Sequence, residues 1–195
     1  MGDPHRILIL FAHPAFHKSR VHAALVAAAR GVEGVTFHDL YERYYDFQID
    51  VAREQRLLNA HDLIVLQHPL YWYSSPALLK EWQDLVLEYG YAYGEGGTAL
   101  RGKRVLSVLS AGGTEDAYGP QGYNRLPLRQ LLTPFEQTAR LCGMEYLPPF
   151  VVHGSRGLSQ AEVDGHAADY RQLLEAMRDG RFDPQSVNGK HRINA

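Results

Sequence analysis

Cysteine is almost absent: Cys142 is the only one in 195 residues. That excludes an internal disulfide and any multi-cysteine metal site, and it fits a reducing, cytoplasmic compartment. Within Leu141-Cys142-Gly143-Met144 it reads as a packed core thiol rather than a reactive one. An excess of either charge is also missing, with 20 Lys and Arg against 22 Asp and Glu and a formal net charge of -2. There is thus no general electrostatic footprint for nucleic acid or anionic lipid. No long apolar segment occurs, so neither signal peptide nor membrane span is expected, and any peripheral membrane association would pass through a partner. The ten histidines lack helical His-Glu-x-x-His spacing. No metal site is expected, and His13, His17, His22, His68 and His153 read as scattered loop and phosphate-contact residues. Glycine-rich phosphate fingerprints are missing too.

What the chain does have is a set of short apolar runs alternating with helical periodicity. Leu63 to Leu66 is an unbroken aliphatic run bounded by His68-Pro69, the pattern of a strand buried on both faces. From Pro76 the period changes, and Leu78, Leu79, Trp82, Leu85 and Val86 fall on one helix face, with the proline tolerated in the first turn. Ile7 to Phe11, Gly34 to Leu40, Arg104 to Ser110 and Phe150 to Val152 supply four more strands. Helices are expected from Ser19 to about Gly31, from Val51 to Asn59 as a polar surface helix, around Leu131 to Leu141, and from a Ser159 to Glu162 capping box through Met177. Five strands alternating with helices predict an α/β, three-layer sandwich around a five-stranded parallel sheet in the order 2-1-3-4-5, a flavodoxin-like arrangement. Residues 1–182 read as the one domain and 183–195 as a loose tail.

In such a sheet ligands bind at the carboxyl ends of the strands, in the crevice between the first and third. Three connections meet there. Behind the first strand, Ser19, Arg20, Val21 and His22 open a helix whose amides suit a phosphate, though an ordinary capped helix start explains them equally. Behind the third, Leu70, Tyr71, Trp72 and Tyr73 offer flat rings, or a plain cap over the sheet edge. Behind the fourth, Ser110, Ala111, Gly112 and Gly113 allow close backbone approach, or simply a tight turn. Their convergence points to a flavin.

Four motifs make the comparison more specific. They are Ala12-His13-Pro14; Gln67 to Tyr73 with Pro76 to Trp82; Tyr91 to Lys103; and Leu147 to Phe150. On these the sequence resembles the flavodoxin-like NAD(P)H:quinone oxidoreductases over about Arg6 to Asp179, most closely the ancillary flavoproteins of glutathione-regulated potassium efflux systems. The resemblance implies FMN, in preference to FAD, with its phosphate at His13 and Ser19 to His22. It places the isoalloxazine along Leu70 to Tyr73 and the pyrimidine edge at Ser110 to Gly113. It further implies NAD(P)H as co-substrate, a quinone or other small acceptor, and a homodimer with the substrate between subunits. In the loop after the glycines, Tyr118 falls at the position of a tyrosine that assists charge transfer in those reductases, and Asn124 stands where they carry a histidine. That departure leaves flavin binding intact and bears on turnover by the same proton relay.

The expected activity is therefore an NAD(P)H dehydrogenase (quinone) working by ping-pong hydride transfer. A second reading makes the chain a regulatory subunit of a potassium efflux transporter. A one-electron shuttle expects a strongly acidic surface, and a receiver domain expects an aspartate where His68-Pro69 ends the third strand.

Overall fold

The computed structural model describes residues 4–187 and 189–194. The expectations for Met1 to Asp3 and for positions 188 and 195 lie outside the described residues. The strands are β1 (Ile7–Phe11), β2 (Val35–Asp39), β3 (Leu63–Pro69), β4 (Arg104–Ser110), β5 (Glu145–Tyr146) and β6 (Phe150–Val152). The helices are α1 (Arg20–Arg30), α2 (Leu40–Arg43), α3 (Val51–Asn59), α4 (Ala77–Val86), α5 (Leu128–Leu131), α6 (Thr133–Leu141) and α7 (Gln160–Arg178). All pairings are parallel, in the order β2-β1-β3-β4-β5.

Alternation along the strands divides the core into two layers. Ile7, Ile9, Phe11 and Val65 pack with Leu25 of α1 and Leu174 of α7, whereas Leu8, Leu10, Ile64 and Leu66 pack with Leu58, Leu79, Trp82 and Phe135 of α3, α4 and α6. The outermost position differs from the single fifth strand expected. Glu145–Tyr146 pairs with the start of β4 and Phe150–Val152 with its end. Pro148 and Pro149 separate them, because neither has an N–H to give to the ladder.

Two further expectations need correction. Helix α3 is not purely a surface helix, because Glu54 is fully buried. Its carboxylate accepts from His38 Nε2 at 2.9 Å, Tyr44 O–H at 2.6 Å and Trp82 Nε1 at 2.8 Å. One acid thereby joins β2, the segment after α2, and α4, with every donor paired. The carboxyl-terminal segment is not loose. Val187 is buried, Ile193 N–H donates to Pro149 O at 2.9 Å, and the Asn194 amide brackets Val151, accepting from its N–H and donating to its O at 3.0 Å each. Asn194 thus completes the edge that β6 would otherwise leave open.

Candidate functional site

Parallel register brings the strand ends together, with Phe11 opposite Gln67 and Pro69 opposite Ser110. Their loops bound a cleft of about 310 Å³. One wall is Leu70, Trp72 and Tyr73, and the other is Gly112 and Gly113 with Tyr118. An ideal Cβ on Gly113 would sit 3.2 Å from the Tyr118 ring and 3.3 Å from Ala117 Cβ, so a side chain there would crowd that loop. Asn124 closes the far side, its Oδ1 accepting from Tyr73 O–H at 3.2 Å. The second and third expected connections do converge.

The aromatic wall is built on a two-residue turn. Tyr71 and Ser74 exchange two backbone hydrogen bonds of 3.0 Å, and Trp72 and Tyr73 between them have φ of +48° and +65°. Both central residues lie in the left-handed region, the type I′ pattern that usually takes Asn-Gly. Trp72 is 93% exposed. Two aromatics thus stand in a backbone state unfavourable to them, with nothing in the core to explain it. Tyr71 differs from expectation: it is absent from the cleft lining and meets His13 edge-on, ring centroids 5.9 Å apart.

At the first connection, Ser19 caps α1 by accepting from His22 N–H at 3.1 Å. Among the described residues the amides of Arg20 and Val21 donate to no chain acceptor, which leaves them for an external anion. The side chains behave otherwise. Val21 is in the core, and Arg20 donates through Nη2 to Leu158 O at 2.7 Å. His22 is fully buried and turned inward, its Nε2 3.1 Å from Ser110 Oγ and its Nδ1 3.5 Å from Gln67 Nε2. Tyr170 O–H in turn donates to Gln67 Oε1 at 3.0 Å. The His22 side chain therefore braces Ser110 from below instead of reaching a phosphate. Burial, with neighbouring His13 and His68, holds it well below the usual histidine range, hence neutral. His13, lowered by burial as well, accepts from Ala15 N–H through Nδ1 at 3.1 Å.

Ser110 and Ala111 also lie beneath the cleft surface. Ser110 O accepts from Leu70 N–H at 2.8 Å and Ala111 N–H donates to Val152 O at 2.9 Å, so sheet bonds use the groups expected to face a ligand. Gly112 and Gly113 carry the exposed part of that loop. Tyr118 has its hydroxyl pKa raised by burial and by Tyr73, so it is a proton-bearing donor at neutral pH. His68 is a core residue, stacked on Phe135 with centroids 5.7 Å apart, and burial pushes it down to about 4. Among the described residues no group of three or more His, Cys, Asp or Glu gathers as for a metal, and no helix is long and apolar enough to cross a membrane.

Three lining residues escaped the site expected from sequence: Ala117, Tyr123 and Arg156. Arg156 follows β6, so the rule that ligands gather at carboxyl strand ends, applied to the last strand, would have marked it.

The chain belongs to the family described by its flavodoxin-like fold, which matches residues 5–174. Within that family it is 48% identical over 174 residues to the glutathione-regulated potassium-efflux system ancillary protein KefG of Serratia proteamaculans, covering 89% of this chain and 95% of the relative. Among solved structures it is similar to general stress protein 14 of Treponema denticola in complex with FMN, with a TM-score of 0.83, 40% identity and coverage of 88% and 99%. It is also similar to an NADPH-quinone reductase of P. pentosaceus, with a TM-score of 0.79, 34% identity and coverage of 87% and 97%.

Proposed function

We propose that this protein is an FMN-dependent NAD(P)H dehydrogenase that reduces a quinone or related small acceptor. The observation that carries this reading is one cleft with an aromatic wall, a bare glycine wall and, beside it, a helix start with two open amides. Each element fits a different part of a flat ring with a phosphorylated tail. Bound there, FMN would supply the hydride-transfer chemistry between a nicotinamide and the acceptor.

The chain's own contribution is placement and charge. Leu70, Trp72 and Tyr73 hold the ring plane so that successive partners reach the same face. The amides of Gly112 and Gly113 and the Tyr118 hydroxyl would hold the polar edge of the ring. Asn124 orients Tyr73 and, having no titrating group, contributes by hydrogen bonding alone. The exposed rings of Trp72 and Tyr123 at the mouth support a homodimer whose second subunit covers them.

The first test is spectroscopic. Purified protein supplied with FMN should show bound-flavin absorption bands and release a species of FMN mass on denaturation, and protein that stays colourless would refute the proposal. Tyr118→Phe should then slow reductase turnover while flavin binding persists. Unchanged kinetics would remove Tyr118 from the mechanism.

The similarity to KefG favours a second reading, in which the protein associates with a potassium efflux transporter and its reductase activity is secondary. Co-purification with such a transporter, retained in a variant without reductase turnover, is the expected result. Failure of the two to associate would count against it.

A further inference from the structure

We propose that Arg156 is the countercharge of the bound flavin, a guanidinium held at the pyrimidine side of the ring to stabilise the negative charge that reduction places there. This rests on the flavin reading above and adds to it a residue outside the site expected from sequence.

The loop between β6 and α7 that carries Arg156 is stitched to the glycine wall. Gly154 N–H donates to Gly113 O at 2.8 Å and Ser155 N–H to Ala111 O at 3.0 Å. Gly157 N–H closes a turn around Arg156 by donating to Gly154 O at 2.9 Å. Further along, Leu158 O is held by Arg20 from α1 at 2.7 Å. The loop is thus fixed on both sides, and the guanidinium lies along Gly112, with Nε 3.7 Å and Cζ 3.9 Å from where a Cβ on that glycine would be.

Arg156 carries the only full charge among the described residues that line the cleft. Among the described residues it has neither an ion pair nor a side-chain hydrogen bond, as is also true of exposed arginines such as Arg56, Arg101 and Arg125, but unlike those it lines the cleft. A guanidinium over bare backbone and beside an aromatic wall is placed to meet an anionic group in the cleft.

The charge balance says what that is. A hydride carries two electrons and one proton, so its transfer leaves the nicotinamide one unit more positive and the bound ring one unit more negative. The amides of Gly112 and Gly113 offer dipoles against that charge, and Arg156 offers a whole unit of the opposite sign.

The test uses the full chain loaded with FMN, comparing the parent with Arg156→Gln and Arg156→Lys. Two quantities are read: the dissociation constant of oxidised FMN, by fluorescence titration, and the two-electron midpoint potential, by spectroelectrochemistry. Arg156→Gln should weaken binding of reduced FMN ten- to a hundredfold more than of oxidised FMN, which lowers the potential by about 30 to 60 mV. Arg156→Lys should recover most of the shift. The apoprotein melting temperature should not move, since the side chain supports nothing else. An unchanged potential in an Arg156→Gln variant that still holds FMN overturns the countercharge while the flavin reading stands. A rise confined to the KM for NADPH, with the potential unchanged, overturns it too, by assigning Arg156 to the co-substrate phosphate. A parent protein that binds no FMN removes both.

Discussion

The turn at Trp72 and Tyr73 offers a perturbation whose two halves should move stability in opposite directions. A bulky residue in the left-handed region is less favourable by about 1–2 kcal/mol. Trp72→Gly relieves that, and the freedom glycine adds to the unfolded chain gives back about 0.4–1 kcal/mol. Because Trp72 is 93% exposed, almost no buried area is lost. The apoprotein should therefore gain up to about 1 kcal/mol, a rise of about 2–4 °C for a domain of this size. Tyr73→Gly brings the same relief, yet Tyr73 is only 49% exposed. Removing it surrenders about 100 Å² of contact, worth about 2.5 kcal/mol, and the hydrogen bond to Asn124 besides. That variant should lose about 2 kcal/mol. Urea unfolding of the two apoproteins gives the sign directly. Fluorescence titration should then show FMN held more weakly by Trp72→Gly, about two- to tenfold for one lost ring contact. A Trp72→Gly apoprotein no more stable than the parent, or one binding FMN equally well, would refute the idea that backbone strain is maintained here for the sake of the ligand.

Much of the architecture was legible because it depends on local pattern. Ile7 to Phe11 and Leu63 to Leu66 are unbroken apolar runs, Ser159 and Glu162 form the capping box that the sequence spells out, and the strand-end rule named two loops that line one cleft. What stayed hidden was direction and pairing across distant segments. His22 opens α1 and Ser110 ends β4, as expected, but the two side chains bind each other beneath the cleft, across 88 residues, and no spacing rule reports that rotation. Glu54 looked like surface because its helix is polar. Its burial depends on three donors from 10, 16 and 28 residues away, each removing part of the desolvation penalty. The last segment looked loose because it lacks periodicity, and it docks through single contacts such as Asn194 on Val151. Arg156 was passed over for a similar reason: a lone arginine in a glycine turn carries no motif, and its meaning comes only from the two loops that flank it.

The same hidden contacts carry the remaining predictions. Glu54→Ala should cost about 3–5 kcal/mol in urea unfolding, since it strands His38, Tyr44 and Trp82 donors in the core; a loss under 1 kcal/mol would mean that water replaces the carboxylate. Burial alone would raise the Glu54 carboxyl, but its hydrogen bonds hold it below the ordinary 4.5. Its stabilisation is thus complete above that pH and fades as pH falls through the folded value. Asn194→Ala leaves the buried Val151 N–H without an acceptor and should cost about 1–3 kcal/mol; a truly loose tail would show no change. His68 gives the clearest pH signature. In the unfolded chain it takes a proton near 6.5, and in the fold only near 4, so between those values the unfolded state binds more protons and stability declines as pH falls. The slope approaches 1.4 kcal/mol per pH unit and the total about 3 kcal/mol at pH 4. His68→Phe, which keeps an aromatic face against Phe135, should flatten that part of the curve while the carboxylate loss below 4.5 remains. Buried His22 adds a slope of the same sign, so the variant should be flatter than the parent without becoming flat. Coincident curves between pH 6.5 and 4.5 would mean that His68 keeps its proton in the fold, and that the strand end beneath the cleft is far wetter than its packing implies.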